Sequence, residues 1–160
     1  MSQELTLGIS LNTSLLELSD LPALLQEFQD LQPELDDVIQ PFLVSQEQTA
    51  FQTHGASIGE VWAPASDAWV NYKKTHGFST DTLHYTEALS QSIGTASEQT
   101  GNSITVGTDV PYAPYLQNKM PNRVFMKLTD DDIEALILRL QEFIASRCGV
   151  PAAAVLITAE

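Results

Sequence analysis

The sequence predicts an α+β fold: a small, mainly antiparallel sheet packed with two to four helices, carrying a long irregular excursion at about residues 54–81. Three observations lead there. Leu5-Thr-Leu-Gly-Ile-Ser-Leu11 alternates apolar with small or polar side chains at period two, the pattern of a strand buried on one face. Ile133, Leu136, Ile137, Leu140, Phe143 and Ile144 recur at helical spacing and form one stripe. Between two strand candidates, Leu83–Ile93 and Ser103–Thr108, the segment Glu98-Gln-Thr-Gly-Asn102 has the Gly and Asn that tight hairpin turns require.

The elements follow in order. Behind the Ser19-Asp20 cap candidates, Leu21, Leu24, Leu25, Phe28 and Leu31 predict an amphipathic helix over 20–30. Gln32-Pro33-Glu34 starts another, with Pro33 in the first turn, where a missing N–H costs nothing, and Pro41 is expected to kink or break it. From His54 to Asp81 no period emerges around Trp62, Trp69, Lys73 and Lys74, so this stretch reads as a surface excursion. Val110-Pro-Tyr-Ala-Pro-Tyr115 reads as a rigid loop, and Val124, Phe125, Met126 and Leu128 as a short strand. The helix at 130–147 has the fullest set of signals. Thr129 is a natural N-cap, Asp130, Asp131 and Asp132 suit the positive first turn, and Arg147 with Gly149 suits the negative end. Val155–Thr158 is a last strand candidate.

A chain of 160 residues suits one domain, expected over 1–160, with 148–160 as an extension or arm. No apolar run approaches the ~20 residues of a membrane span, so no membrane partner is expected. Met1-Ser-Gln-Glu-Leu lacks the blocks of a signal peptide, which points to synthesis in a cytoplasm. One cysteine, Cys148, forms neither an intrachain disulfide nor a cysteine-based zinc site. The formal charge is −14, and residues 1–72 carry eleven acids with no Lys or Arg. Gripping phosphates needs clustered bases, so direct binding of duplex DNA is excluded by this distribution.

Chemistry is hard to find in the chain. There is no nucleophile elbow, and Gly8, Gly55, Gly59 and Gly77 are too scattered for a phosphate-cradling loop, so no cofactor is expected. His54, His76 and His84 lie 22 and 8 residues apart, unlike helical metal pairs, and no metal is expected. Asp130–Asp132 point in successive directions around a helix and are explained by the dipole. Cys148 at a helix C-terminus is a small structural residue, because that end disfavours a thiolate. The expectation is a protein that is not an enzyme.

An ordered series then carries information that no single residue does. It runs Phe51; Trp62-Ala-Pro64-Ala-Ser66; Lys73-Lys74; Leu83-x-x-Thr86-x-x-Leu89-x-x-Ser92-Ile93; Val106-Gly-Thr108 into Pro111-Tyr-Ala113; Gln117; and Pro121-x-Arg123-x-Phe125 before the last helix. This series resembles the Mu-like phage virion morphogenesis or tail completion family. Departures from that pattern are Glu87, Asn118 and Val124, where the family usually has Gly, Gly and Pro. The resemblance implies a structural protein of the virion, made in the host cytoplasm, that completes a phage tail or joins it to the head. It would act as a homo-oligomeric ring, expected to be a hexamer, against neighbouring neck, connector or tail tube and sheath proteins. Trp62, Lys73, Lys74, Tyr112, Tyr115, Arg123 and Phe125 are the candidate contact residues of that assembly. Such a ring encloses a channel through which DNA passes without specific binding. Glu4, Glu17, Asp20, Glu27, Asp30, Glu34, Asp36 and Asp37 are then candidates for an acidic lining that repels phosphates. The charge alone also fits an acidic adaptor or inhibitor that binds a basic partner protein.

Overall fold

A computed structural model describes residues 5–120 and 123–159. Its small antiparallel sheets and helices make an α+β fold. The described residues form two compact units, each assembled from separated segments: unit 1 from 43–98, 105–120 and 123–129, unit 2 from 5–42, 99–104 and 130–159.

In unit 2, β1 (Leu7–Leu11) pairs antiparallel with β4 (Val155–Ala159), Leu7 opposite Ala159 and Leu11 opposite Val155. The expected carboxy-terminal arm therefore carries a paired strand. α7 (Asp130–Cys148) packs on β4, and its Leu136, Leu140 and Ile144 are buried as their spacing predicts. Gln141 Nε2 ties the two together by donating to the Val155 carbonyl at 2.9 Å. α1 (Leu21–Glu27) starts with Pro22 in its first turn, and the turn before it is closed by a reciprocal cap in which the Glu17 N–H donates to Asp20 Oδ2 at 2.8 Å.

Pro41 does not break its helix. α2 (Gln32–Glu34) runs through a π turn (Leu35–Ile39) into α3 (Gln40–Gln52), the Gln40 N–H donating to the Leu35 carbonyl five residues back. Widening the turn just ahead of Pro41 accommodates a residue that has no N–H to donate and whose ring would crowd the preceding turn.

Unit 1 contains most of α3, then α4 (Asp67–Thr75), α5 (Ala88–Gln91), the loops around them and α6 (Ala113–Lys119). Several expectations are corrected here. The 54–81 excursion holds a regular helix, α4, capped by Ser66 Oγ accepting from the Trp69 N–H at 3.4 Å. Leu83–Ile93 is not a strand, since Leu83 and Glu87 sit at φ 63° and 60° and the segment then coils into α5. The 110–115 loop becomes helical at Ala113. The hairpin is β2 (Glu98–Thr100) and β3 (Ser103–Thr105), turning at Gly101-Asn102 as the sequence predicts and ending earlier than Thr108.

Candidate assembly interface

The residues of the motif series gather in one place. Phe51, Trp62, Leu89, Ile93, Ala113 and Phe125 form the core of unit 1, each 5% exposed or less. Phe51 meets Trp62 edge-on at 5.2 Å between ring centroids and Phe125 at 5.6 Å, geometries that suit aromatic quadrupoles. The Trp62 indole N–H donates to the Val124 carbonyl at 2.6 Å. Gly55 lets this happen: at φ 81°, a Cβ there would run into the Glu60 carbonyl oxygen and lie 2.6 Å from Trp62 Nε1. Gln117 completes the core. Its Oε1 accepts from the N–H groups of Phe125 and Met126 at 3.1 and 3.2 Å, and its Nε2 donates to the Met126 carbonyl at 2.8 Å. A side-chain amide thus binds this backbone where a neighbouring strand would, and 124–128 is not a strand. The remaining motif pieces meet as well, Gly94 N–H donating to the Gly107 carbonyl at 2.7 Å and the Ser92 and Thr108 hydroxyls pairing.

Three of the expected contact residues are therefore internal. Trp62 and Phe125 belong to this core, and Lys73 is 2% exposed. Its ammonium donates to the Asp81 and His84 carbonyls at 2.7 and 2.8 Å, fastening the 78–87 loop to α4, and burial lowers its pKa. A neighbouring protein cannot reach them without unfolding the unit.

The surface of unit 1 offers other groups. Tyr112 and Tyr115 are 47% and 62% exposed, and with the exposed Lys119 they follow i, i+3, i+7 spacing along one face of α6. Residues 110–129 contain Lys119, Arg123 and Lys127 and no acid. Lys127 pairs with Glu60 at 2.7 Å, Arg123 is half-buried with Nη1 3.9 Å from Met120 Sδ, and Lys74 is exposed on α4. Pro121 of the motif series lies outside the described residues. A feature that sequence reasoning missed is a stack on α4: Trp69 lies parallel to Tyr72 at 5.2 Å, Tyr72 stacks on His76 at 4.1 Å, and Tyr85 joins from the loop. The signal was available in the spacing 69, 72, 76 behind a Ser-Asp cap.

Among the described residues, unit 2 carries twelve acids and two bases, against seven acids and five bases on unit 1. Among the candidates for an acidic lining, Asp30, Asp36 and Asp37 are exposed, as is Glu17, whereas Asp20 is half-buried in the cap; Glu4 lies outside the described residues. Glu27 and Glu34 are not surface groups: they are 8% and 3% exposed. Glu27 accepts from Arg147 Nε, while no donor among the described residues reaches either Glu34 oxygen. Burial first, and the Glu27 carboxylate beside it second, push the Glu34 pKa from 4.5 to about 7. Burial and the same two carboxylates raise the Cys148 thiol, which keeps it protonated. A groove of about 460 Å³ opens next to the π turn, lined by Asp37, Pro41, Phe42, Glu142 and Phe143, with the Arg139 guanidinium 5.0 Å above the Phe42 ring.

The histidines come closer than their spacing suggests. His54 and His84 rings lie 5.9 Å apart, His84 Nδ1 is 2.7 Å from Glu87 Oε2 and Nε2 is 3.2 Å from the Phe51 carbonyl oxygen. Among the described residues, no group of three or more His, Cys, Asp or Glu side chains is arranged to hold a metal ion. No helix of the described residues is long and apolar enough to cross a membrane.

Neither a curated protein nor a solved structure matches the chain. A family model does, over residues 17–144, a span that takes in α1 to α6, most of α7, the whole unit 1 core and both tyrosines of α6. With most of its length matched, the chain belongs to the phage virion morphogenesis family, whose members have structural and assembly roles in the virion.

Proposed function

We propose that this protein completes the tail of a phage or joins the tail to the head, as a closed hexameric ring with no reaction of its own. The observation that carries the reading is the contrast within one family-matched unit: Phe51, Trp62, Leu89, Ile93, Ala113 and Phe125 of the motif series are spent on a core, and Tyr112, Tyr115 and Lys119 are left on the surface. Tyrosine combines a large rigid apolar body with a polar tip and is enriched where proteins meet. Contacts in a ring are heterologous, one surface of each copy meeting a different surface of the next, and the two units differ sharply in charge. Exposed acids of unit 2, among them Asp30 and Asp36, would face the channel and keep DNA from pausing on its wall. Virions lacking the protein should accumulate filled heads and free tails, and imaging of complete particles should place a six-fold ring at the tail end or neck. Normal joining without the protein, or its absence from purified virions, would overturn the reading.

The charge of unit 2 also favours a second reading, an acidic adaptor for a basic partner. It predicts a monomer at every concentration, in the presence of virion components as well as alone.

A further inference from the structure

The geometry points to the two surfaces that join successive copies: we propose that the groove beside the π turn of one copy receives the Tyr112–Tyr115–Lys119 face of α6 from the next. The inference rests on the ring reading and names its contact. The two surfaces are complementary in chemistry. The groove, about 460 Å³, has apolar walls from Pro41 and Phe143, with Asp37 and Glu142 as its acids. Its one base, Arg139, is already engaged over the Phe42 ring. The α6 face brings two exposed phenol rings and an ammonium one turn further on, from a segment that holds three bases and no acid. A tyrosine ring filling an apolar recess while a lysine meets rim carboxylates is the anchor-plus-charge arrangement of well-packed interfaces. The groove belongs to unit 2 and the α6 face to unit 1. Because the contact uses two different surfaces, a pair of copies still has one groove and one α6 face free, so addition continues until a ring closes.

The experiment uses the full chain with Asn118→Cys and Ser146→Cys, positions beside Lys119 and in the groove wall that leave the proposed anchors intact. A short bismaleimide is applied to purified protein and to purified tails, with single-cysteine controls accounting for the buried Cys148. A ladder of covalent multimers up to the closed ring is the expected result. A cross-link confined to single chains overturns the contact. A ring seen by native mass spectrometry without any ladder overturns the contact and leaves the ring standing, whereas monomers in solution and in tails overturn both. A second measurement does not depend on cross-linking. Lys119→Glu should weaken ring formation at least about tenfold, as loss of an interface charge pair and its repulsive replacement would, and Glu142→Lys in that background should restore it. Ring formation unchanged by Lys119→Glu, or no rescue, refutes the pairing.

Discussion

Replacing Glu34 by Gln should make the protein more stable at pH 8 and remove part of its pH dependence. Glu34 is 3% exposed, neither of its oxygens is given a donor among the described residues, and the Glu27 carboxylate beside it is held in place by Arg147. A proton on Glu34 removes the buried charge and gives the group something to donate towards Glu27. The native chain therefore binds this proton more tightly than the unfolded chain, with a pKa of about 7 against 4.5. The folded state gains most below pH 4.5, where both states are protonated, and loses that gain as pH rises through the interval to about 7. At about 1.4 kcal/mol per pKa unit the loss is about 3 kcal/mol, or about 10 °C in Tm for a domain of this size. Urea unfolding at pH 5, 6, 7 and 8, followed by circular dichroism because both tryptophans lie in unit 1, should show wild-type stability falling relative to the Gln variant and levelling off above pH 7. Parallel pH profiles for the two proteins would refute the reasoning.

Gln117→Ala should cost about 2–3 kcal/mol, because it strips acceptors from two backbone N–H groups beside the fully buried Phe125, measured as a shift in urea midpoint. Gly55→Ala should be worse, at about 3 kcal/mol or more, since the added methyl collides with backbone and with the Trp62 indole at a positive φ; a soluble variant with unchanged tryptophan fluorescence would contradict this. Tyr112→Ala should leave the urea midpoint within about 0.5 kcal/mol of wild type, as an exposed side chain does, while reducing tail-to-head joining in a complementation assay; loss of folding with no separate joining defect would return Tyr112 to a packing role.

What could be read from the sequence depended on whether a residue's neighbours were local. α7 was legible because its cap, stripe and terminal charge all lie within twenty residues, and β1 because alternation is local too. Its partner was not, since the apolar runs at 7–11 and 155–159 do not say that they pair. α4 was hidden by an inverted pattern: Lys73 points inward to two carbonyls while Trp69 and Tyr72 stack outside. The run at 124–128 looked like a strand because Phe125 and Met126 pack in or against the core, but the partners of its backbone are side chains, Gln117 at Phe125 and Met126 and Trp62 at Val124. For the site, the order of the motifs led to the family, whereas which motif residues face outward was not legible. Tyr112 and Tyr115 are exposed, and Trp62 and Phe125 are not, for reasons of tertiary packing that residue type alone does not encode.

The register of β1 with β4 has a consequence for the timing of synthesis. Leu7 leaves the ribosome long before Ala159, and until then β1 has no strand to pair with. Unit 1 is complete in sequence at residue 129, so its core can close while the end of the chain is still being made. Long loop closure makes the β1–β4 pairing a late step. α7 contributes Arg139, Glu142, Phe143 and Ser146 to the groove, half of its lining, so the groove is finished last as well. A truncated product would then present the tyrosines of α6 but no finished receptor for them, ending a growing ring at the first defective copy and delaying closure until an intact chain takes its place.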